Sequence, residues 1–221
     1  MTGPVIEPVI ITMQHEIPRT YPAKIDRLID SLVEKHICVS TDFFEPELIQ
    51  ALYQELKQRS EGQQLDAARV GKDNQLNRIE TIRGDTIQWL SGETAAQMQF
   101  LAIMEHYRQA LNRHLFLGLN ELEAHFAHYP PGMGYQRHLD SFQNNNLRRI
   151  TIVVYLNPEW NEADGGQLQI FDGENVIEEV SPLGGTLVSF VSEEIPHQVA
   201  VTQQHRYSIA GWFRVRDDQP V

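Results

Sequence analysis

The sequence predicts an α+β fold in which helices come first and a strand-rich half follows. Before Leu119, apolar residues recur at helical spacing in several segments. After Leu119 the spacing changes to alternation, and turn signals rich in Gly and Pro separate the alternating segments. A series of short strands without helices between them favours a sandwich, a barrel or a double-sheet jelly roll. At 221 residues the chain fits one domain, spanning 1–221.

Composition excludes several classes of function. The net charge of −12 argues against a nucleic-acid-binding surface, because the phosphates would be repelled. Cys38 is the one cysteine, so no internal disulfide forms, and its apolar neighbours predict a place in the core. No segment approaches the roughly 18 apolar residues that a membrane span needs, and the first residues do not resemble a signal peptide. We therefore expect a cytoplasmic protein without membrane or nucleic-acid partners.

The first half of the chain predicts a supporting layer over residues 23–116. Residues 1–22 contain four prolines and predict an N-terminal arm. Amphipathic spacing predicts helices at 23–35, after Pro46, and at 93–115, with a short strand at 37–39. The polar, glycine-containing residues 65–79 predict a mobile loop, of the kind that often covers a binding site.

The second half predicts a β core over residues 117–215. Its alternating segments are 122–129, 149–156, 166–171, 176–180, 186–191, 198–202 and 207–214. Within 149–156, one face carries the apolar side chains of Ile150, Ile152, Val154 and Leu156. The other face carries Thr151, Val153 and Tyr155, and so offers two hydroxyl groups.

His138 and Asp140 form the first part of a candidate metal site. Side chains at i and i+2 of an extended strand leave from the same face, so both would enter one space. His197, which follows a proline, would complete the two-histidine, one-carboxylate set typical of non-haem Fe(II) oxygenases. The same ligands also suit Zn²⁺ or Mn²⁺, so they alone leave the metal open.

A candidate anion site lies on the last predicted strand. Alternation places four side chains on one face: Arg206, Ser208, Ala210 and Trp212. A guanidinium and an indole with small residues between them indicate a recess, and arginine binds a carboxylate through two parallel hydrogen bonds. A 2-oxoglutarate oxygenase needs such a cation beyond its metal. A zinc hydrolase instead needs a base close to the metal.

The ordered series His138, Asp140, His197, Arg206 and Trp212 resembles the 2-oxoglutarate/Fe(II) dioxygenases. Within them it is similar to the prolyl 4-hydroxylases of the hypoxia-sensing type and their bacterial relatives. The resemblance covers about residues 62–214 and includes four further stretches: 82–89, 129–140, 155–160 and 165–171.

The resemblance implies a jelly-roll (double-stranded β-helix) catalytic core and a role for each matching residue. It implies iron ligands at His138, Asp140 and His197. It implies a 2-oxoglutarate site at Arg206, with Tyr129 and Tyr155 helping, Trp212 walling the pocket and Tyr135 near the metal.

A protein substrate is also implied by the resemblance. Arg148 falls where these enzymes place an arginine that faces the peptide, and the loop at 66–80 matches the one that folds over it. Two departures stand out. The turn at 130–134 is one residue short, and Ala210 replaces a threonine of the animal enzymes.

The implied reaction is hydroxylation of a prolyl residue in a protein, with release of succinate and CO₂. It would use Fe(II), 2-oxoglutarate and O₂, and ascorbate is among the candidate cofactors. The resemblance to bacterial relatives suggests a translation factor such as elongation factor Tu as partner. The alternatives are action on another residue or a small molecule, a zinc or manganese cupin-like enzyme, and a non-catalytic binding module.

Overall fold

The computed structural model describes residues 18–68, 83–141 and 147–217. The helices are α1 (Tyr21–Lys35), α2 (Pro46–Glu61) and α3 (Ala95–Leu115). The first four strands are β1 (Ile37–Ser40), β2 (Asp66–Ala67), β3 (Thr86–Trp89) and, after α3, β4 (Glu121–Tyr129). The remaining strands are β5 (Tyr135–His138), β6 (Arg148–Tyr155), β7 (Leu168–Asp172), β8 (Asn175–Val180), β9 (Leu187–Val191), β10 (His197–Val199) and β11 (Arg206–Arg214).

The three predicted helices are confirmed. Helix α1 begins two residues before the predicted start, because Pro22 suits a first helical turn. Tyr21 is fully buried there and packs edge-on against Phe43. Residues 1–17 of the predicted arm lie outside the described residues. None of the helices in the described ranges is long and apolar enough to cross a bilayer.

A seven-stranded sheet forms the centre of the molecule, with strand order β1-β9-β6-β11-β4-β3-β2 and antiparallel neighbours. One face of this sheet packs against the three helices. Ile150, Ile152 and Val154 of β6 lie in that core together with apolar residues of α1, α2 and α3. The helices therefore form the supporting layer that the sequence predicts.

The other face of the large sheet packs against a smaller one with strand order β5-β10-β7-β8. Val153 and Tyr155 of β6 lie in the core between the two sheets, with Leu168 and Ile170 of β7 and Val199 of β10. The alternation predicted for residues 149–156 is confirmed, since its two faces belong to two different cores. Two antiparallel sheets stacked in this way form the predicted jelly roll.

The prediction that, apart from residues 37–39, strands begin only after Leu119 is wrong for β2 and β3. Strand β3 pairs with β4, with Trp89 opposite His125, and β2 extends the sheet beyond it. Because β3 is only four residues long, its alternation is too brief to recognise, and a partner distant in the chain stabilises it. Most of the predicted loop at 65–79 lies outside the described residues, which resume at Arg83.

Candidate active site

Three metal-ligating side chains converge between the two sheets. His138 ends β5, Asp140 follows two residues later, and His197 begins β10, where it pairs directly with His138. The Nε2 atom of His138 lies 3.5 Å from Oδ1 of Asp140, and Nε2 of His197 lies 3.6 Å from Oδ2. The three ligand atoms all lie within 4.8 Å of one another. Strand spacing predicts only that His138 and Asp140 share a face; His197 joins the candidate site through the ligand set that it completes and through the family resemblance.

Backbone carbonyls orient both imidazoles. The Nδ1 atom of His138 lies 2.7 Å from the carbonyl oxygen of Gln136, and Nδ1 of His197 lies 2.9 Å from that of Ile195. Because a carbonyl only accepts, each Nδ1 carries a proton, and Nε2 is the nitrogen that faces the cluster. A hydrogen bond to the distal nitrogen is the usual way in which proteins orient a metal-binding histidine.

The Asp140 carboxylate is buried and ionised. Burial by itself would raise the pKa of Asp140, but its interactions with the His197 and His138 rings outweigh burial and hold the pKa well below its usual range. The Thr151 hydroxyl donates a 2.9 Å hydrogen bond to Oδ2 of Asp140, and Ser192 lies 2.9 Å from the same hydroxyl. The cluster therefore offers one carboxylate and two imidazole nitrogens as ligand atoms.

Aromatic rings enclose the histidines. The Tyr135 ring stacks on His138 at 3.7 Å between centroids, and Phe190 packs edge-on against His197. The guanidinium of Arg83 lies 5.1 Å from the Tyr135 ring. Its two hydrogen bonds to the buried Asp85 carboxylate measure 2.7 and 3.0 Å. Tyr135 therefore contacts His138 of the cluster and also lies near the Arg83–Asp85 ion pair, in which the two charges neutralise each other.

Arg206 occupies a buried pocket on the face of the large sheet that packs against the smaller sheet. Its side chain is 1% exposed, and it donates to the Gly166 carbonyl (2.9 Å) and the Ser208 hydroxyl (3.2 Å). Its Cζ atom lies 5.2 Å from the ring of Tyr129 and 5.0 Å from that of Tyr155. Across the three described ranges, no carboxylate forms an ion pair with Arg206. A buried cation without an anionic partner is costly, so this pocket is suited to an anionic ligand.

Comparison with known proteins is consistent with this arrangement. A family profile described as the 2OG-Fe(II) oxygenase superfamily matches residues 124–214. A prolyl-4-hydroxylase from Pseudomonas putida is 40% identical, and the match covers 87% of this chain and 99% of that one with a TM-score of 0.79. The chain belongs to the 2OG-Fe(II) oxygenase superfamily.

Two further members of the superfamily extend the comparison. A prolyl hydroxylase from Trichoplax adhaerens, solved with a peptide fragment of a hypoxia-inducible factor, is 25% identical, with coverage of 90% and 94% and a TM-score of 0.79. A hypoxia-inducible factor prolyl hydroxylase from Caenorhabditis elegans is 27% identical over 155 residues, or 64% of this chain. The chain spans about a fifth of that relative's length (21%).

Members of this superfamily use Fe(II) and 2-oxoglutarate, and the residues present fit both. Two neutral imidazoles and one carboxylate are the donor set that non-haem Fe(II) takes. For 2-oxoglutarate, the pocket offers the Arg206 cation and the Tyr155 hydroxyl, which is buried without a hydrogen-bond partner within the described part of the chain. Burial raises the pKa of Tyr155, so this hydroxyl stays protonated and can donate.

Trp212 and Arg148 lie together beside Asp140, whose backbone carbonyl oxygen is 3.5 Å from Nη1 of Arg148. The Cζ atom of Arg148 lies 3.6 Å from the centre of the Trp212 ring, and its Nε donates to Glu123 at 2.7 Å. The ring of His125 packs between Trp212 and the partly exposed Trp89. Trp212 therefore contacts Arg148 and His125, and Arg148 is already paired with an anion and a ring; a pocket-wall role for Trp212 stays a prediction.

Two hydroxyl groups of the site had no predicted role. Ser208 accepts from Arg206, and Ser192 contacts Thr151 from the loop after β9. Alternation had placed Ser208 on the face of Arg206, so that residue was recognisable. Ser192 carries no signal in the sequence, because it lies beyond the strand and 41 residues from its partner.

Proposed function

We propose that this protein is an Fe(II)- and 2-oxoglutarate-dependent dioxygenase that hydroxylates a prolyl residue in a protein substrate. The observation that carries the proposal is the buried Arg206 cation, which belongs to β11 of the large sheet, together with the His138, Asp140 and His197 cluster between the two sheets. A metal cluster alone would suit several enzyme classes. A desolvated cation without a carboxylate partner in the described ranges adds the site for a dicarboxylic cosubstrate.

In this proposal His138, Asp140 and His197 hold the metal, and Arg206 holds the far carboxylate of 2-oxoglutarate. Bound iron and 2-oxoglutarate supply the oxidation, in which O₂ is consumed, succinate and CO₂ are released, and a substrate C–H group becomes C–OH. The protein orients the reactants and excludes water. Burial raises the pKa of Tyr129 well above its ordinary value, so its hydroxyl, like that of Tyr155, stays neutral beside Arg206.

A protein substrate is supported by the relatives. The Pseudomonas putida protein is a prolyl-4-hydroxylase, and the structure of the Trichoplax adhaerens enzyme contains a peptide fragment of a hypoxia-inducible factor. In this chain, Trp89, Trp212 and the Arg148–Glu123 pair offer aromatic and charged groups beyond the metal cluster. A substrate-facing role for Arg148 would require the Glu123 pair to open or to accept the peptide as it stands. Most of the loop proposed to cover the peptide lies outside the described residues.

Three finer expectations stay predictions. They are elongation factor Tu as the substrate, ascorbate as a supporting reductant, and a cytoplasmic location. A substrate panel should therefore include translation factors as well as synthetic peptides.

The test is aerobic incubation of the purified protein with Fe(II), 2-oxoglutarate and a panel of candidates. The panel holds proline-containing peptides, whole translation factors, free proline and peptides in which alanine replaces proline. We expect succinate formation together with the added mass of one oxygen atom on a prolyl residue. The Asp140→Ala variant is the control, because it removes the only carboxylate of the cluster and should lose all turnover.

The outcomes separate the alternatives. Hydroxylation that persists in Asp140→Ala would remove the metal assignment. Turnover of free proline as fast as of any peptide would favour a small-molecule oxygenase. Metal analysis that finds zinc, without succinate formation under any condition, would favour the cupin-like alternative.

A further inference from the structure

A chain of two buried hydroxyl groups ends on the Asp140 carboxylate. Thr151 lies on β6 and is 1% exposed, and Ser192 lies just after β9 and is fully buried. The Thr151 hydroxyl lies 2.9 Å from Oδ2 of Asp140 and 2.9 Å from the Ser192 hydroxyl. The neighbouring strands β6 and β9, which pair over residues 150–154, bring both hydroxyls to one end of the site.

The direction of these hydrogen bonds follows from the number of protons. An ionised carboxylate only accepts, so the single hydroxyl proton of Thr151 goes to Asp140. Thr151 then has no proton left for Ser192, and Ser192 must donate to Thr151. The chain therefore runs from Ser192 through Thr151 to Oδ2 of Asp140, and every member is buried.

This chain makes the two oxygens of Asp140 inequivalent. Oδ2 accepts from Thr151 and lies 3.6 Å from Nε2 of His197, whereas Oδ1 lies 3.5 Å from Nε2 of His138 and has no hydroxyl partner within the described residues. A hydrogen bond to one oxygen holds the plane of the carboxylate, which would otherwise rotate about its bond to Cβ. An orientation set in advance lowers the cost of ordering the ligand when an ion binds.

We propose that Thr151 and Ser192 are positioning residues for the metal, which hold Asp140 so that one of its oxygens is kept ready for the ion. This inference rests on the proposed function, because it takes the His138, Asp140 and His197 cluster as a metal site. Thr151 acts directly on the ligand, and Ser192 acts through Thr151. Removing the Thr151 hydroxyl should therefore cost more metal affinity than removing that of Ser192.

The test is titration of the metal-free protein with Co(II), without 2-oxoglutarate or substrate, followed by calorimetry and by the visible absorption of the bound ion. Partners of metal ligands typically contribute 10- to 100-fold to affinity. We expect Thr151→Val to raise the Co(II) dissociation constant about 10-fold or more. Thr151→Ser should restore most of the affinity, and Ser192→Ala should fall between Thr151→Val and the wild type.

Ser189→Ala is the matched control. Ser189 is also a fully buried serine at β9, but its hydroxyl contacts Tyr107 on the helix side of the sheet. It should bind Co(II) as the wild type does. Thermal unfolding of each metal-free variant provides the second measurement, because a purely structural hydroxyl would change stability and not affinity.

Two results would overturn the inference. The first is a wild-type Co(II) affinity in Thr151→Val and Ser192→Ala. The second is that Ser189→Ala and Ser192→Ala lose Co(II) affinity to the same extent, each in proportion to its loss of thermal stability in the metal-free state. Failure of the metal assignment is distinguishable from both, because the wild-type protein itself would then bind no Co(II) at this cluster. Failure of the hydroxylase assignment alone would leave Co(II) binding intact and would show as absent succinate formation.

Discussion

The Cζ atom of Arg206 lies 5.0 Å from the centre of the Tyr155 ring, and the Tyr155 hydroxyl is buried without a partner in the described ranges. Both groups are costly to bury in this state, since one is a charge and the other an unsatisfied donor. A carboxylate bound in the pocket would satisfy both at once. Without a bound anion the pocket therefore destabilises the folded protein, and binding of an anionic ligand would offset this cost.

The first prediction follows from that unsatisfied hydroxyl. Tyr155→Phe should leave the ligand-free protein as stable as the wild type or slightly more stable, because it removes a polar atom that has no partner. It should nevertheless weaken 2-oxoglutarate binding about 10-fold, the value of a hydrogen bond to a charged group. Calorimetric titration and thermal unfolding of the same samples measure the two effects.

Arg206→Ala tests the same pocket more severely. Loss of a buried charge partner costs about 2–5 kcal/mol, so 2-oxoglutarate affinity should fall about 30-fold or more. Arg206→Lys should recover only part, since lysine lacks the planar fork. Arg27→Ala, which removes an exposed arginine of α1, is the control. Unchanged affinity in Arg206→Ala would mean that the anion binds elsewhere.

The second prediction concerns the close packing of Gly166 against the Arg206 side chain. Gly166 has φ +70°, and a Cβ atom there would lie 3.1 Å from both Cδ of Arg206 and Oγ1 of Thr202. Gly166→Ala should therefore displace the arginine and weaken 2-oxoglutarate binding about 10-fold, on the scale of one lost charged hydrogen bond. The measurement is again titration with 2-oxoglutarate.

Gly173→Ala is the matched control for Gly166→Ala. Gly173 has φ +55°, but a Cβ atom there would meet nothing within 4 Å. Both substitutions carry the backbone cost of a positive φ, about 1–2 kcal/mol, and only Gly166→Ala adds the contact with Arg206. Equal affinities in the two variants would show that the contact does not position the arginine.

Alternation along single strands was enough to predict much of this site. It separated Thr151 and Tyr155 from the apolar row of β6, and it put Arg206, Ser208 and Trp212 on one face of β11. The metal trio was predicted from its spacing and from the resemblance to a known family. These features depend on local periodicity, which a sequence displays directly.

Features that depend on register between distant strands were not predictable in this way. The Arg148–Glu123 and Arg148–Trp212 contacts join strands β6, β4 and β11. The contact between Ser192 and Thr151 depends on how β9 pairs with β6. Strand β3 is stabilised by β4 and not by its own four residues. In each case the partner is dozens of residues away, and one sequence does not identify it.

The third prediction concerns Asn157, which follows β6. We expect this residue to contribute to the stability of the fold and not to catalysis. Its side-chain nitrogen donates to the carbonyls of Pro182 (2.7 Å) and Tyr207 (3.3 Å), and its oxygen accepts from the Tyr207 amide (2.8 Å). Asn157→Ala leaves the Pro182 carbonyl and the Tyr207 amide without this partner, while the Tyr207 carbonyl keeps the Leu156 amide, so the free energy of unfolding should fall by about 2–4 kcal/mol.

Urea unfolding at neutral pH measures this loss. Asn120→Ala is the control, because exposed Asn120 loses one surface hydrogen bond from Arg216 and should change stability by about 0.5 kcal/mol or less. If Asn157→Ala matched this control, backbone rearrangement or water would be replacing the side chain. A catalytic role for Asn157 would instead appear as lost turnover at unchanged stability.

The fourth prediction concerns the pH dependence of stability, through His128 on the helix side of β4. Its Nδ1 lies 2.9 Å from the Ser60 hydroxyl, its Nε2 lies 2.8 Å from Nδ1 of His205, and its ring stacks on Tyr207. Burial, together with the nearby His205, lowers the pKa of His128 to about 4. Protonating both histidines would also place two donors against each other.

The direction of the effect follows from proton binding. Between about pH 6.5, where an unfolded histidine titrates, and pH 4, the unfolded chain holds a proton at this position that the folded protein does not. The free energy of unfolding should therefore fall as the pH is lowered through this range, by about 1.4 kcal/mol per pH unit for one such group. Above pH 6.5 this contribution to the pH dependence vanishes.

Comparing His128→Phe with the wild type isolates the contribution of this residue. Urea unfolding of the metal-free protein at several pH values from 7.5 to 4.5 should give a shallower dependence on pH for the variant, by roughly the slope of one proton. His114→Gln, at an exposed histidine near the end of α3, should keep the wild-type dependence. A slope in His128→Phe that equals the wild-type slope would show that His128 already takes up its proton in the folded protein, and the packing against Tyr207 would then have to accommodate a charged ring.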